Sequence, residues 1–457
     1  MEGDDEIDII IDEIKPCKSK SGFYFGESSN KINDDASDKL IEPKENNNKK
    51  ECTFCSFNLN GWFSIINLIA GALGGGIFSF PKILYNIGMA SGLICFILVS
   101  ISVYYSLDLL RRFVVDTKLF SYSDITKATL GYFWLIMFAI SSFIVYLSCI
   151  SSYLDILYGI TQLLIPQIKE MHVVTFFYFF ITYIIEVLLC IFTSNLSKIH
   201  ILSTICVCIF IIILIIVIVE AIIRIKNGNK NGILDYVSAF EIKDSLNKWE
   251  NFLSIMSKLN EYLVGFLSHS TFPTLLNFYH SPNDDEKTKK INKVFFIILN
   301  IIYGLYTIFA YFCLDKQNIV NIQVKVGGKA DYIIDILLMI YLLALVPIRY
   351  IIIRDNYTSV LKKDYLPAKI DIPITCVCLL ICNIIACFVE EHLITKIFMN
   401  IFMGIFGVFI CFILPVINFV KLNDKSKLRS IIGYIISGIF ILIGIFSIIF
   451  LIKTNWK

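Results

Sequence analysis

Two stretches of this chain combine residue types that a continuous helix avoids. Residues 67–81, NLIAGALGGGIFSFP, carry Gly71, Gly74, Gly75 and Gly76 and end at Pro81. Residues 262–273, YLVGFLSHSTFP, carry Gly265, the polar run Ser268-His269-Ser270-Thr271, and Pro273. Each glycine gives up about 1 kcal/mol of helix propensity relative to alanine, and proline cannot continue the hydrogen-bond ladder. Both stretches therefore predict helices that unwind part-way. An unwound backbone has chemistry of its own. Free N–H groups at a half-helix N-terminus hold an anionic group such as a carboxylate. Freed carbonyls on the other broken helix accept hydrogen bonds from an ammonium or coordinate a cation. A zwitterion presents both groups on one carbon. Read alone, the first stretch is equally a place where two helices pack closely; its pairing with the second favours a binding site.

A few ionisable side chains fall inside apolar runs, where each is a functional candidate by default. His269 sits in the second break and titrates near neutrality, so it is read as a substrate-handling or proton-coupling group, against a structural hydrogen bond to a carbonyl. Glu186 and Asp155 are further proton-coupling candidates; a buried carboxylate must be paired or neutral. Arg349 either places a fixed positive charge among the breaks, as a cation substitute, or snorkels to the surface, since it lies roughly 24 Å along the helix from Ile333 at 1.5 Å per residue. Tyr146 and Tyr153 lie on the same run as Asp155, and each either reaches the substrate or packs as an aromatic.

The elements that must position these groups follow from hydropathy. The chain has 457 residues, 56% hydrophobic and 17% charged, with a mean hydropathy of +0.72, against about 25% charged in soluble domains. A bilayer core needs about 20 apolar residues in helix. Runs of that size recur at 57–82, 89–110, 132–165, 172–193, 199–223, 253–279, 292–314, 332–353, 370–389, 395–420 and 430–452. The reading is an all-α integral membrane protein of eleven transmembrane helices, with broken helices 1 and 6. These are corresponding positions in two five-helix repeats, 57–223 and 253–420, joined by an extracytosolic loop, 224–252. The eleventh helix and C-terminus occupy 421–457.

The net charge of +2 conceals a split: residues 1–56 hold 14 acidic and 8 basic side chains, the rest 24 acidic and 32 basic. The tail has little to bury and no apolar core of a signal peptide, so it is expected to be disordered and cytosolic. Lys and Arg gather in the loops that a cytosolic N-terminus makes cytosolic, as at Arg111, Arg112, Lys289, Lys290, Arg354, Lys362 and Lys427. Two glycosylation sequons, at Asn195 and Asn356, fall on that same side and are expected to stay unmodified. Cys52 and Cys55 form half a zinc site with no second pair to complete it. Most other cysteines behave as small hydrophobes in apolar runs. No metal, cofactor or nucleic-acid partner is expected.

The residues resemble a known family, the amino acid/auxin permease superfamily, whose fold is the inverted repeat of the bacterial leucine transporter. The likeness rests on residues 67–92 (NLIAGALGGGIFSFPKILYNIGMASG), residues 264–280 (VGFLSHSTFPTLLNFYH), where Phe266 and His269 match the helix 6 signature, and residues 346–354 (VPIRYIIIR). The resemblance implies an amino acid substrate held by Gly71, Gly74, Gly75, Gly76, Gly265, Phe266, Ser268 and His269, with Tyr153 facing it, and a protein functional as a monomer. The chain departs from sodium-coupled members. Their helix 1 asparagine position falls on Ala70, and their helix 8 hydroxyl positions on Leu343, Ala344 and Leu345; a one-turn slip brings Asn67 back. Arg349 stands where the family has an aliphatic residue.

The expected function is a secondary active amino acid transporter working by alternating access, with protons rather than sodium as partner. It is placed in the plasma membrane or the membrane of an acidic vacuole. The alternatives are an amino acid sensor signalling through its tail, or an uncoupled exchanger or uniporter. A channel lacks a repeated pore loop or ring of charge. An intramembrane enzyme lacks any HExxH, Gly-x-Gly-Asp or Ser/His constellation, so the chain is read as no enzyme.

Overall fold

The computed structural model describes residues 59–165, 172–193, 196–226, 248–276, 285–314, 329–363, 366–388, 398–422 and 427–455. The chain divides into Met1–Glu51 and Cys52–Lys457. The expectations for the acidic tail, Cys52, Cys55, Asn195 and most of the loop at 224–252 lie outside the described residues.

Every described element is helical. They run α1 (Leu59–Ala72), a 3-10 turn (Gly75–Ser79), α2 (Phe80–Ile87), α3 (Met89–Thr117), α4 (Tyr122–Leu130), α5 (Tyr132–Leu164), α6 (His172–Phe192) and α7 (Leu196–Lys226). Then follow α8 (Lys248–Gly265), α9 (Phe272–Leu276), α10 (Asp285–Cys313), α11 (Lys329–Val360) and α12 (Ala368–Phe388). Two π-helical segments (Phe398–Gly407 and Phe409–Ile413), α13 (Leu414–Leu422) and α14 (Lys427–Asn455) complete the chain. Among the described residues eight helices are long and apolar enough to cross a bilayer. The bent pair Gly61–Ala72 and Gly75–Ile87, turned by 57°, makes a ninth, and Phe176–Phe192 is a shorter apolar helix.

The apolar pattern is that of helices in lipid. Ile211, Ile212, Ile215 and Val219 on α7, and Phe176, Phe177 and Phe180 on α6, point outward, while the buried set includes Arg111, Glu186, His269 and Arg349. Turns use glycine where the chain needs a positive φ: Gly88 (φ 86) separates α2 from α3, and Gly131 (φ 92) separates α4 from α5. Helix α4 is polar, YSDITKATL, so hydropathy gives it no span. It packs between α5 and the segment 409–422 through Tyr122.

The second π segment ends beside a proline. Pro415 has no N–H, so in the i to i−5 pattern that Leu414 follows with Phe409 the Ile410 carbonyl loses its backbone donor. Tyr122 Oη donates to that carbonyl at 3.0 Å, and Ser106 Oγ and Ser437 Oγ donate to the next two, Cys411 and, at 3.1 Å, Phe412.

Candidate functional site

The two expected breaks are present and touch each other. Helix α1 makes its last turn with Leu73 N–H donating to Ile69 at 2.7 Å. The backbone then extends through Gly74 and tightens into the 3-10 turn, where Ser79 Oγ donates to the Gly76 carbonyl at 2.7 Å. Helix α8 ends at Gly265, and residues 266–271 form two turns closed by Ser268 N–H to Phe266 and Thr271 N–H to Ser268. A Cβ on Gly76 would lie 2.9 Å from the Gly265 nitrogen, and one on Gly265 would lie 2.2 Å from the Phe80 ring. The glycines thus serve close approach and interruption together.

Unwinding frees carbonyls that a membrane interior cannot leave bare, and three side chains from α10 and α11 take them up. Arg349 Nη1 donates to the Gly71 carbonyl at 2.8 Å and to the Leu267 carbonyl at 3.1 Å, one on each broken helix. Tyr303 Oη lies 2.9 Å from the Ala72 carbonyl and 2.6 Å from the Gly265 carbonyl, again one on each. Tyr341 Oη donates to Leu73 at 3.1 Å. Arg349 Nε donates to Tyr153 Oη at 3.2 Å, and its guanidinium lies 6.0 Å from the centre of the Tyr146 ring. The Arg349 side chain does not snorkel: the residue is 1% exposed. Tyr153 packs its ring on Gly75, and its hydroxyl sits beside Gly74, so Tyr153, Arg349 and the helix 1 glycines share one place.

The other sequence candidates sort by location. His269 is fully buried in the helix 6 break, neither ring nitrogen has a hydrogen-bond partner, and its ring faces Phe412, which stacks on Phe440. Phe266 joins an aromatic cluster with Phe80, Phe96, Phe296 and Tyr303. Ser268 supplies the backbone of the turn. Glu186 lies elsewhere, between α6 and α12, where Asn383 Nδ2 donates to Oε2 at 2.6 Å and Oε1 has no partner. Asp155 is buried on α5, two residues past Tyr153.

A small, partly open cavity of about 30 Å³ adjoins the breaks. Its polar lining is Asn67, Ser203, Ser270, Thr271, Thr274 and Asp355, and it reaches Gly71, the residue whose carbonyl Arg349 holds. Sequence reading singled out neither Tyr303, Tyr341 nor Asp355 for a role in the site. The available signal was a phenol hydroxyl deep in an apolar run, which needs an acceptor when buried. No group of three or more His, Cys, Asp or Glu side chains that could hold a metal ion occurs among the described residues.

A family model described as "Transmembrane amino acid transporter protein" matches residues 58–454. No curated protein matches the chain. Among solved structures, it is similar to a manganese transporter of Eremococcus coleocola, crystallised with an aromatic bis-isothiourea compound. The TM-score is 0.55 at 12% identity, covering 85% of this chain and 86% of that one. A mutant of the same transporter gives a TM-score of 0.51 at 12% identity, with 84% and 85% covered. A Na+-coupled sialic acid symporter in a substrate-bound outward-open state gives 0.47 at 12% identity, with 84% and 88% covered. At this identity the manganese transporter shows a shared fold.

Proposed function

We propose that this chain, which belongs to the transmembrane amino acid transporter family, is a secondary active carrier that moves amino acids by alternating access, coupled to protons and independent of sodium. Its architecture in this reading is eleven spans, two inverted five-helix repeats and a final helix, with the N-terminus cytosolic. The observation that carries the reading is the meeting of two broken helices whose freed carbonyls are bridged by Arg349 and Tyr303.

The site's division of labour follows from donors and acceptors. The backbone around Gly74, Gly75 and Gly76 offers N–H groups to a carboxylate. The carbonyls of Gly71, Ala72, Leu73, Gly265 and Leu267 are the acceptors for a cation or an ammonium. In this conformation all five lie within reach of a protein donor: Ala72 and Gly265 share the one Tyr303 hydroxyl proton, Leu73 takes that of Tyr341, and Gly71 and Leu267 share a guanidinium that stays charged. Arg349 thus stands where an inorganic cation would otherwise be needed, which supports sodium independence. A permanently charged group cannot carry the coupling proton, so that task falls to a titratable side chain. The sequence candidates are His269, Glu186 and Asp155. In this reading Tyr153, beside the helix 1 glycines, and His269, in the helix 6 break, border the substrate.

The test is uptake of a labelled amino acid panel into proteoliposomes, with and without an inward proton gradient and with sodium replaced. Saturable uptake that responds to the proton gradient and ignores sodium is the expected result. Uptake that requires sodium overturns the coupling, and no saturable uptake overturns the transport reading. An uncoupled exchanger is the second reading, favoured by the tethered charge of Arg349; it gives exchange without accumulation.

A further inference from the structure

We propose that Asp355 is the proton-accepting carboxylate on the route from the transport site to the cytosol. The proposal rests on the proton-coupled reading above and assigns that reading's proton to a residue outside its candidates.

Among the described residues the cavity beside the breaks has one ionisable side chain in its lining, Asp355, on α11. Six residues separate it from Arg349, about 9 Å of helix rise. The rest of the polar lining, Asn67, Ser203, Ser270, Thr271 and Thr274, comes from α1, α7, the helix 6 break and α9 and carries neutral amide or hydroxyl groups. The cavity lining thus includes both a carboxylate and Gly71, the residue whose carbonyl Arg349 holds. Groups able to donate and accept protons lie along it.

Charge placement singles out this carboxylate. Its neighbour Arg354 is committed elsewhere: Nε donates to Asp371 at 3.0 Å, and the guanidinium lies over the Tyr350 ring at 5.5 Å. Asp355 itself makes no side-chain ion pair or hydrogen bond among the described residues; only its backbone carbonyl is engaged, by Thr358. The charged groups near it are Arg354 and Arg349 on its own helix and Asp124 on α4. The described residues of α1, α7, α9 and the helix 6 break that line the cavity bring no charge. Glu186, Asp155 and His269 do not line the cavity. A half-buried carboxylate with no side-chain partner among the described residues has lost part of its hydration as an ion, and its place on the cavity lets water there hand it a proton. The step is a proton transfer alone: the carboxylate accepts a proton from cavity water to give the neutral acid, then returns it to cytosolic water as the cargo leaves.

The experiment uses the full-length protein in liposomes and a labelled mixture of L-amino acids as probe. Two readouts are compared: accumulation driven by an inward proton gradient, and exchange in preloaded vesicles, which needs no net proton movement. The expected result is that Asp355→Asn drops accumulation to the level of protein-free liposomes while exchange is kept, and that Asp355→Glu keeps both. Proton-driven accumulation by Asp355→Asn overturns the proposal. So does parallel loss of accumulation and exchange in monodisperse D355N protein, because that outcome assigns a structural role. Should D355N not fold, D355E decides, since a displaced carboxylate must shift the pH profile of accumulation but not of exchange; an unmoved profile overturns the proposal. Wild-type exchange without any response to the proton gradient removes the proton and leaves the carrier. Absence of both activities in the wild type overturns the carrier reading itself.

Discussion

Replacing Arg349 by alanine removes the donor that joins the two broken helices. Two carbonyls, Gly71 on helix 1 and Leu267 on helix 6, lose a charged donor at 2.8 and 3.1 Å, and Tyr153 loses its partner at 3.2 Å. A buried acceptor left without a donor costs about 1–3 kcal/mol. Two such acceptors destabilise this arrangement of the breaks by about 2–6 kcal/mol, and tenfold in population corresponds to about 1.4 kcal/mol. The expected loss in initial uptake rate is therefore at least about 30-fold. Arg349→Lys keeps the charge but offers a point donor instead of a planar fork, so its rate should fall between alanine and wild type. The assay is initial uptake into proteoliposomes with sodium, potassium or a large organic cation outside, and with guanidinium added. The alanine variant should be partly rescued by guanidinium, which fits the space its side chain left, and should acquire a dependence on small cations that the wild type lacks. Wild-type rates in Arg349→Ala, with no cation dependence and no rescue, refute the argument that Arg349 substitutes for a cation.

Three further perturbations follow from the same geometry. Tyr303→Phe strips the shared donor from the Ala72 and Gly265 carbonyls and should slow uptake about tenfold, for a net loss near 1.4 kcal/mol, while size-exclusion behaviour stays that of the wild type. Gly265→Ala drives a Cβ to 2.2 Å from the Phe80 ring, which Phe96, Tyr262 and Tyr303 hold in place. Overpacking of about 1–3 kcal/mol should lower the melting temperature in detergent, and Phe80→Leu in the same chain should recover it. Glu186→Gln keeps an acceptor for Asn383 and should leave both stability and the pH dependence of accumulation unchanged, whereas Glu186→Leu orphans an amide donor and should destabilise by about 1–3 kcal/mol. A lost proton response in Glu186→Gln moves the coupling site from Asp355 to Glu186.

Much of the architecture is legible in composition, because lipid imposes a single solution on the backbone. Each expected run coincides with a helical element, and the two breaks fall where the glycines and prolines interrupt apolar sequence. Helix α4 escaped because its nine residues are polar and it lies against the bundle. The snorkelling alternative for Arg349 rested on α11 ending at residue 353. The helix continues to Val360, so Arg349 lies eleven residues from the helix end, about 16 Å of rise, too far in for its side chain to reach the surface.

The sequence alone determined an all-helical membrane body with two interrupted helices, because hydrophobic length and glycine or proline content act locally along the chain. Only the tertiary structure decided which groups satisfy the freed carbonyls. Arg349, Tyr303 and Tyr341 reach carbonyls that are 278, 231 and 268 positions away in the chain. A donor and acceptor so far apart meet only when whole helices have packed, and no local pattern records that. The same holds for Asp355: its residue type is visible in the sequence, but its lack of a partner and its place on a cavity are properties of the packed helices around it.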